Sequence, residues 1–172
     1  MAASAMQRIM DFAKLERVLA GVCIFTPALL IAFDNGPIRN SISAYYNMVQ
    51  NQVFYVPLTI ASMLFVVNSV IKLKKAYNML LGIALAGLVL FNHDDFTVVH
   101  SIFAAVFFLG NAAVIIIYSP KKELWFKILL VVIIIASLAA WQLGAISLFW
   151  AEWISLAIIG WHYILESWGI IT

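Results

Sequence analysis

The sequence predicts an all-α membrane protein, a bundle of six transmembrane helices. Three observations carry this. The 172 residues are 65% hydrophobic and only 10% charged, with a mean hydropathy of +1.04, where a soluble domain carries about 25% charged residues. The apolar runs are continuous and lack the alternation of a membrane strand. Backbone in lipid must satisfy its own hydrogen bonds, so such runs become helices.

A hydrocarbon core about 30 Å thick asks for about 20 helical residues. Segments 16–33, 53–71, 77–92, 97–118, 124–143 and 146–168 qualify, the third narrowly. The first follows an amphipathic lead containing Asp11 and Glu16, and no small-x-small site closes its apolar part. It is expected as an uncleaved span. Pro27 should kink it, whereas Pro57 lies in the first turns of the second span and is better tolerated. The fifth and sixth spans must turn within "QLGA", at Gly144. The only long connection is "DNGPIRNSISAYYNMVQNQ", residues 34 to 52. Within it Ile42, Tyr45, Tyr46 and Val49 recur at i, i+3, i+4 and i+7, and Ser41 can cap a turn. That predicts a short interfacial helix around 41–50, apolar face down. Residues 1–172 are expected to form a single integral membrane domain.

Orientation follows from lysine and arginine. Arg8, Lys14 and Arg17 precede the first span, Lys72, Lys74 and Lys75 join the second and third, and Lys121, Lys122 and Lys127 flank the fourth-to-fifth link. Nine of the ten basic residues therefore share one side, leaving Arg39 on the other. The positive-inside rule puts both termini in the cytoplasm. Tyr45, Tyr46, Trp141, Trp150 and Trp153 then fall at the outer interface, and Tyr77, Tyr118, Trp125 and Trp168 at the inner one. The cytoplasmic side reads as mostly lysine and little else.

Several functions are excluded. A net charge of +2 is too small to argue for nucleic acid. Cys23 is the sole cysteine, so no intrachain disulfide forms. There is no Gly-rich phosphate loop, Ser-x-x-Lys, His-Glu-x-x-His or Cys-x-x-Cys. The partner that the composition demands is the lipid bilayer.

The polar residues converge on the outer half. "FNHDDFTVVHSIFAAVFF", residues 91 to 108, places His93, Asp94, Asp95 and His100 at the mouth of an apolar run. His100 sits about one turn into the fourth span and Glu152 about two turns into the sixth. Ionisable groups in lipid are costly, so they face the bundle interior and find partners. Arg39, Ser41, Ser43, Tyr45, Tyr46, Asp94, Asp95, His100 and Glu152 are the candidate pocket. In it Arg39 would be the anion or carboxylate partner, and His100 and Glu152 the buried acid–base or ligand pair. Such a pocket would take a small ligand, a lipid headgroup or a protein partner.

Two other functions use the same residues. His93, Asp94, Asp95, His100 and Glu152 offer nitrogen and oxygen ligands suited to zinc, whose bound water would attack an ester or amide. The spacing His-x6-His is not a recognised zinc motif. Glu152, Ser155, Ile159, His162 and Glu166 form one stripe down the sixth span and would serve a proton or solute path. The structural alternative is that Glu152 bonds Arg39 or His100 and pins the outer loop, while His162 and Glu166 form an i, i+4 pair.

At "RNSISAYYN" the chain resembles a family of small, uncharacterised bacterial multi-pass membrane proteins. In these an Arg-x-Ser-Ile-Ser-x-Tyr-Tyr stretch follows the first span. A later span opens on His and runs into small residues and two Phe, as in "HSIFAAVFF" here, and a Trp-x-Glu comes near the C-terminus, as in "WAEW". The resemblance implies a bacterial inner membrane and picks out Arg39, Ser41, Ser43, Tyr45, Tyr46, His100 and Glu152. A more distant likeness is to membrane hydrolases that combine Ser, Asp and three His. This chain lacks their His-x-x-x-His pair.

Overall fold

The computed structural model describes residues 2–71 and 75–171, with side chains from Phe12 onward. Lys72 and Lys74 lie outside the described residues, and Arg8 and Asp11 outside the described side chains. The element order is α1 (Ala2–Phe33), a 3₁₀ turn (Ser43–Asn47), α2 (Gln52–Ile71), α3 (Tyr77–Leu90), α4 (Thr97–Ile117), α5 (Leu124–Gln142) and α6 (Leu148–Ser167). Among the described residues there is no strand, and five helices are long and apolar enough to cross a membrane, the first of them over Phe12–Phe33.

The third helix is the short one. Its 14 residues rise about 21 Å. It still carries the chain from one end of the bundle to the other. Lys75, just before it, bonds Glu16 of α1. Asp94, just after it, bonds Tyr46 in the connection beyond α1. The Tyr46 end is the loop end below, and the Lys75 end the lysine end.

Each helix packs on its chain neighbour, and α6 returns to pack on α1, closing a ring. Phe65 of α2 lies near its centre, fully buried, edge-on to Phe107 of α4 at 5.7 Å and to Tyr163 of α6 at 5.6 Å. The outward faces stay apolar: Phe25, Met63, Leu80 and Ile102 are each more than half exposed. A soluble monomer rarely shows apolar patches beyond a few hundred Å², so this girdle faces lipid.

Local chemistry explains the breaks. α1 runs continuously through Pro27. Proline has no N–H, so the Cys23 carbonyl loses its usual helical partner. The next carbonyl, that of Ile24, accepts the indole N–H of Trp153 from α6 at 3.1 Å. α5 ends as the sequence requires. Gly144 takes φ +74°, Ala145 N–H reaches Ala140 O at 2.8 Å and Gly144 N–H reaches Trp141 O at 2.9 Å. That is a Schellman stop, which favours glycine at the left-handed position.

The expected helix around 41–50 is corrected to a five-residue 3₁₀ turn. Three residues per turn put Ile42, Tyr45 and Met48 on one face, and all three are buried. Val49, which an α-helical period would have buried, is 92% exposed. Ser41 does cap, its Oγ accepting the Ala44 N–H at 3.1 Å.

Small residues let α2 and α3 approach. A Cβ on Gly82 would lie 2.8 Å from the Ser62 carbonyl, and the Ser62 hydroxyl already bonds the Gly82 carbonyl. Gly82→Leu is therefore expected to destabilise the protein by about 1–3 kcal/mol, as overpacking does. Gly21 has open space around it, so Gly21→Ala should instead gain up to about 1 kcal/mol of helix propensity. Thermal denaturation of the two variants in detergent checks both signs.

Candidate functional site

The site begins where α1 ends. Asp34 follows its last turn and meets Arg39 five residues on, Arg39 Nε donating to Asp34 Oδ2 at 2.5 Å and Nη2 to Oδ1 at 3.3 Å. Arg39 Nη1 also donates to the Ala44 carbonyl at 2.9 Å, and the guanidinium lies over the Tyr45 ring at 5.4 Å. These contacts fold residues 34–45 into a compact loop around one arginine. Tyr45 is buried completely against Phe149 of α6, ring centroids 5.7 Å apart.

Two bonds then seat this loop on α6. Ile42 N–H donates to Glu152 Oε2 at 2.6 Å, and Phe149 N–H donates to the Asn40 carbonyl at 2.7 Å. The first satisfies a buried carboxylate with a backbone donor, and the second satisfies an N–H of the first turn of α6, which no intrahelical carbonyl can reach. Arg39 therefore has a carboxylate partner, but it is Asp34. The expected bond of Glu152 to Arg39 or His100 is replaced by the Ile42 N–H. Arg39 instead spends three of its five donors within its own loop.

Beneath the loop lies a cavity of about 30 Å³. A space of about 10–15 Å³ already admits one water. Its polar lining is Ser43, His100 and Glu152; Leu58, Phe107 and Leu156 are among its apolar walls. His100 is 4% and Glu152 7% exposed. His100 is oriented by its Nδ1, 2.7 Å from the carbonyl of Phe91 at the end of α3. Three elements far apart in sequence thus bring a hydroxyl, an imidazole and a carboxyl to one small space.

Arg39, Ser41, Tyr45, Tyr46, His93, Asp94 and Asp95 do not line this cavity. Tyr46 donates its phenol to Asp94 Oδ2 at 2.5 Å, with Asn47 Nδ2 on the same oxygen at 3.4 Å. The Asp94 carboxylate holds the Tyr46 phenol above its ordinary range. Asp95 is tied to Asn92 by two 2.8 Å bonds and shapes the turn before α4. Ser41 and Ser43 share a bond of 3.0 Å. His93 is exposed and stands edge-on to His100 at 5.7 Å. Among the described residues no three His, Cys, Asp or Glu side chains form a group that could hold a metal ion.

The loop should respond to acid in one direction. Arg39 holds the Asp34 carboxyl below its ordinary value of 3.8. A carboxyl depressed in the folded state stabilises above its unfolded value and loses that contribution as pH falls through the folded one. Amide protection across residues 38–46, taken relative to the intrinsic exchange rate at each pH, is thus expected to be constant from about pH 8 to 5 and to fall only below about pH 4. In Asp34→Asn the exchange should be fast throughout, and the acid step attributable to this pair should vanish.

The lysine end holds a second polar assembly that the sequence did not disclose. Lys75 bonds Glu16 of α1 at 3.1 Å and also Glu166 of α6. Asn68 of α2 donates to Glu16, Asn78 of α3 donates to Asn68 Oδ1 at 2.9 Å, and Tyr163 donates to Asn78 Oδ1 at 3.1 Å. Lys127 of α5 and Glu123, just before that helix, pair beside them. The expectation that this side carries little but lysine is corrected: among the described residues, Lys75 and Lys127 are matched by buried carboxylates. The signal was present in Asn68 and Asn78, two amides inside apolar spans. The stripe on α6 does face inward, and fully buried Ile159 separates Ser155 from His162.

A closed ring of helices, apolar outside, with buried polar groups at both ends, defines a multi-pass integral membrane protein. More particularly, the chain belongs to the family of unknown function DUF7103, whose model matches residues 25–167. No curated protein and no solved structure matches it.

Proposed function

We propose that the protein is a six-span membrane protein with both termini cytoplasmic, and that its outward-facing cavity binds the polar head of a small amphiphile through Ser43, His100 and Glu152. The observation that carries this is the lining itself, two ionisable groups and one hydroxyl from three separate elements in an otherwise apolar space. Binding sites in proteins are mostly apolar with a few placed polar groups, and intramembrane ionisable residues mark functional sites by default. The distribution of lysine and arginine supports the orientation. The loop of residues 34–45 supplies Ile42 and Ser43 to the lining of the cavity.

The test is mass spectrometry of small molecules and metals that co-purify with wild type, His100→Ala and Glu152→Gln. An amphiphile bound to wild type and lost from both variants is expected. Equal amounts on all three would sink the proposal. Stoichiometric zinc in wild type, lost from both, would replace it with the metal-hydrolase reading.

A further inference from the structure

We propose a second site, on the lipid-facing side, where a groove between α1 and α6 binds an anionic phospholipid from the leaflet at the lysine end, one acyl chain along the groove and the phosphate on Arg17. The groove has a volume of about 620 Å³ and is lined by Arg17, Gly21 and Phe25 of α1, by Ala157 and Trp161 of α6, and by Trp168 just after it, among others.

Its shape follows from two glycines with opposite roles. A Cβ on Gly160 would lie 2.9 Å from the Ala20 carbonyl, so this glycine lets α6 close on α1. Gly21 has nothing within 4 Å of its Cβ position, so it leaves the floor of the groove open. Phe25, Trp161 and Trp168 stand as walls, 63%, 44% and 56% exposed.

Its length and charge select the occupant. From Arg17 to Phe25 the helix rises about 12 Å, and from Ala157 to Trp168 about 16 Å. Half of a hydrocarbon core is about 15 Å. The groove therefore spans one leaflet and ends at an exposed guanidinium, whose Nε donates to Ser167 Oγ at 3.3 Å. Arginine presents a planar fork of donors that matches phosphate, and basic pockets between spans on the cytoplasmic side are the usual seats of acidic headgroups. Trp168 beside it suits the headgroup level, where indoles gather. A second copy of the chain fits less well. A two-fold axis along the membrane normal makes the interface isologous, and would bring Arg17 against the Arg17 of the other copy.

The experiment is native mass spectrometry of protein released from nanodiscs of equal phosphatidylglycerol and phosphatidylcholine. Wild type is expected to retain phosphatidylglycerol over phosphatidylcholine by about fivefold, the preference one cation near the membrane surface provides. Arg17→Gln should keep a bound lipid but lose the preference, and Arg17→Lys should restore most of it. Gly21→Phe fills the groove and should lose the lipid itself. Both positions are on the outer face, and an unchanged melting curve certifies each variant. If Gly21→Phe does not fold, Gly21→Leu replaces it. No preference in wild type, or a preference that survives both Arg17→Gln and the filled groove, overturns the proposal. So does a dimer in wild type that Gly21→Phe dissociates.

Discussion

Lys75→Met is expected to be the most damaging single substitution in the lysine end, costing about 3–5 kcal/mol, the usual penalty for removing one partner of a buried ion pair. Lys75 is 9% and Glu16 1% exposed, and Glu166 Oε2 is already buried without a hydrogen bond. Deleting the ammonium strips Glu166 of its cation and takes a donor from Glu16. It also removes a charge that lies over the rings of Phe12 and Tyr163, at 5.8 and 5.7 Å. The loss is in pairing rather than packing, because methionine matches the lysine stem in length. The double variant Lys75→Met/Glu166→Gln should therefore recover a large part of the stability, since a neutral amide costs far less to bury than a lone carboxylate. Melting temperatures in detergent for both variants decide this. A single variant that melts with wild type would show that the assembly contributes nothing to folding.

The second large effect is expected at Glu152. Its Oε2 takes the Ile42 N–H at 2.6 Å in a buried setting, and leaving a buried donor unsatisfied costs about 1–3 kcal/mol. Glu152→Ala should cost about that much and should release the loop, seen as faster amide exchange at residues 40–46. Glu152→Gln keeps an acceptor for Ile42 and should leave the loop seated. The pair separates anchoring from binding. A ligand lost in both variants belongs to the carboxyl group, and a ligand lost only in Glu152→Ala belongs to the loop.

The helices were legible because their signal is local. Continuous apolar runs predicted the helices from α2 to α6 to within about two residues, whereas α1 begins at Ala2, well ahead of its apolar part, and the glycine stop at 144 followed from the lack of any other turn residue. His100 and Glu152 were legible as buried side chains, because an ionisable group in an apolar run must turn inward. Their pairings were not. Arg39 had acidic residues in three different segments within conceivable reach, and nothing local says that the nearest, Asp34, takes it. The interfacial turn misled because Val49 continues an α-helical period, while burial follows a period of three through Met48. The lysine-end assembly was missed for another reason. Its members come one or two from each of several elements, so no single stretch shows an excess of polarity.

The ring is closed by its last member, and this bears on how the protein is made. Residues 34–45 leave the ribosome long before Glu152 and Phe149, the groups that hold them down. Glu16 and Lys75 likewise meet each other before Glu166 exists to complete them. Until α6 enters the bilayer, neither end of the protein is finished. A chain arrested after α5 would leave the loop unseated and the Lys75 assembly incomplete. Insertion of the final span is thus the step at which both ends are assembled together.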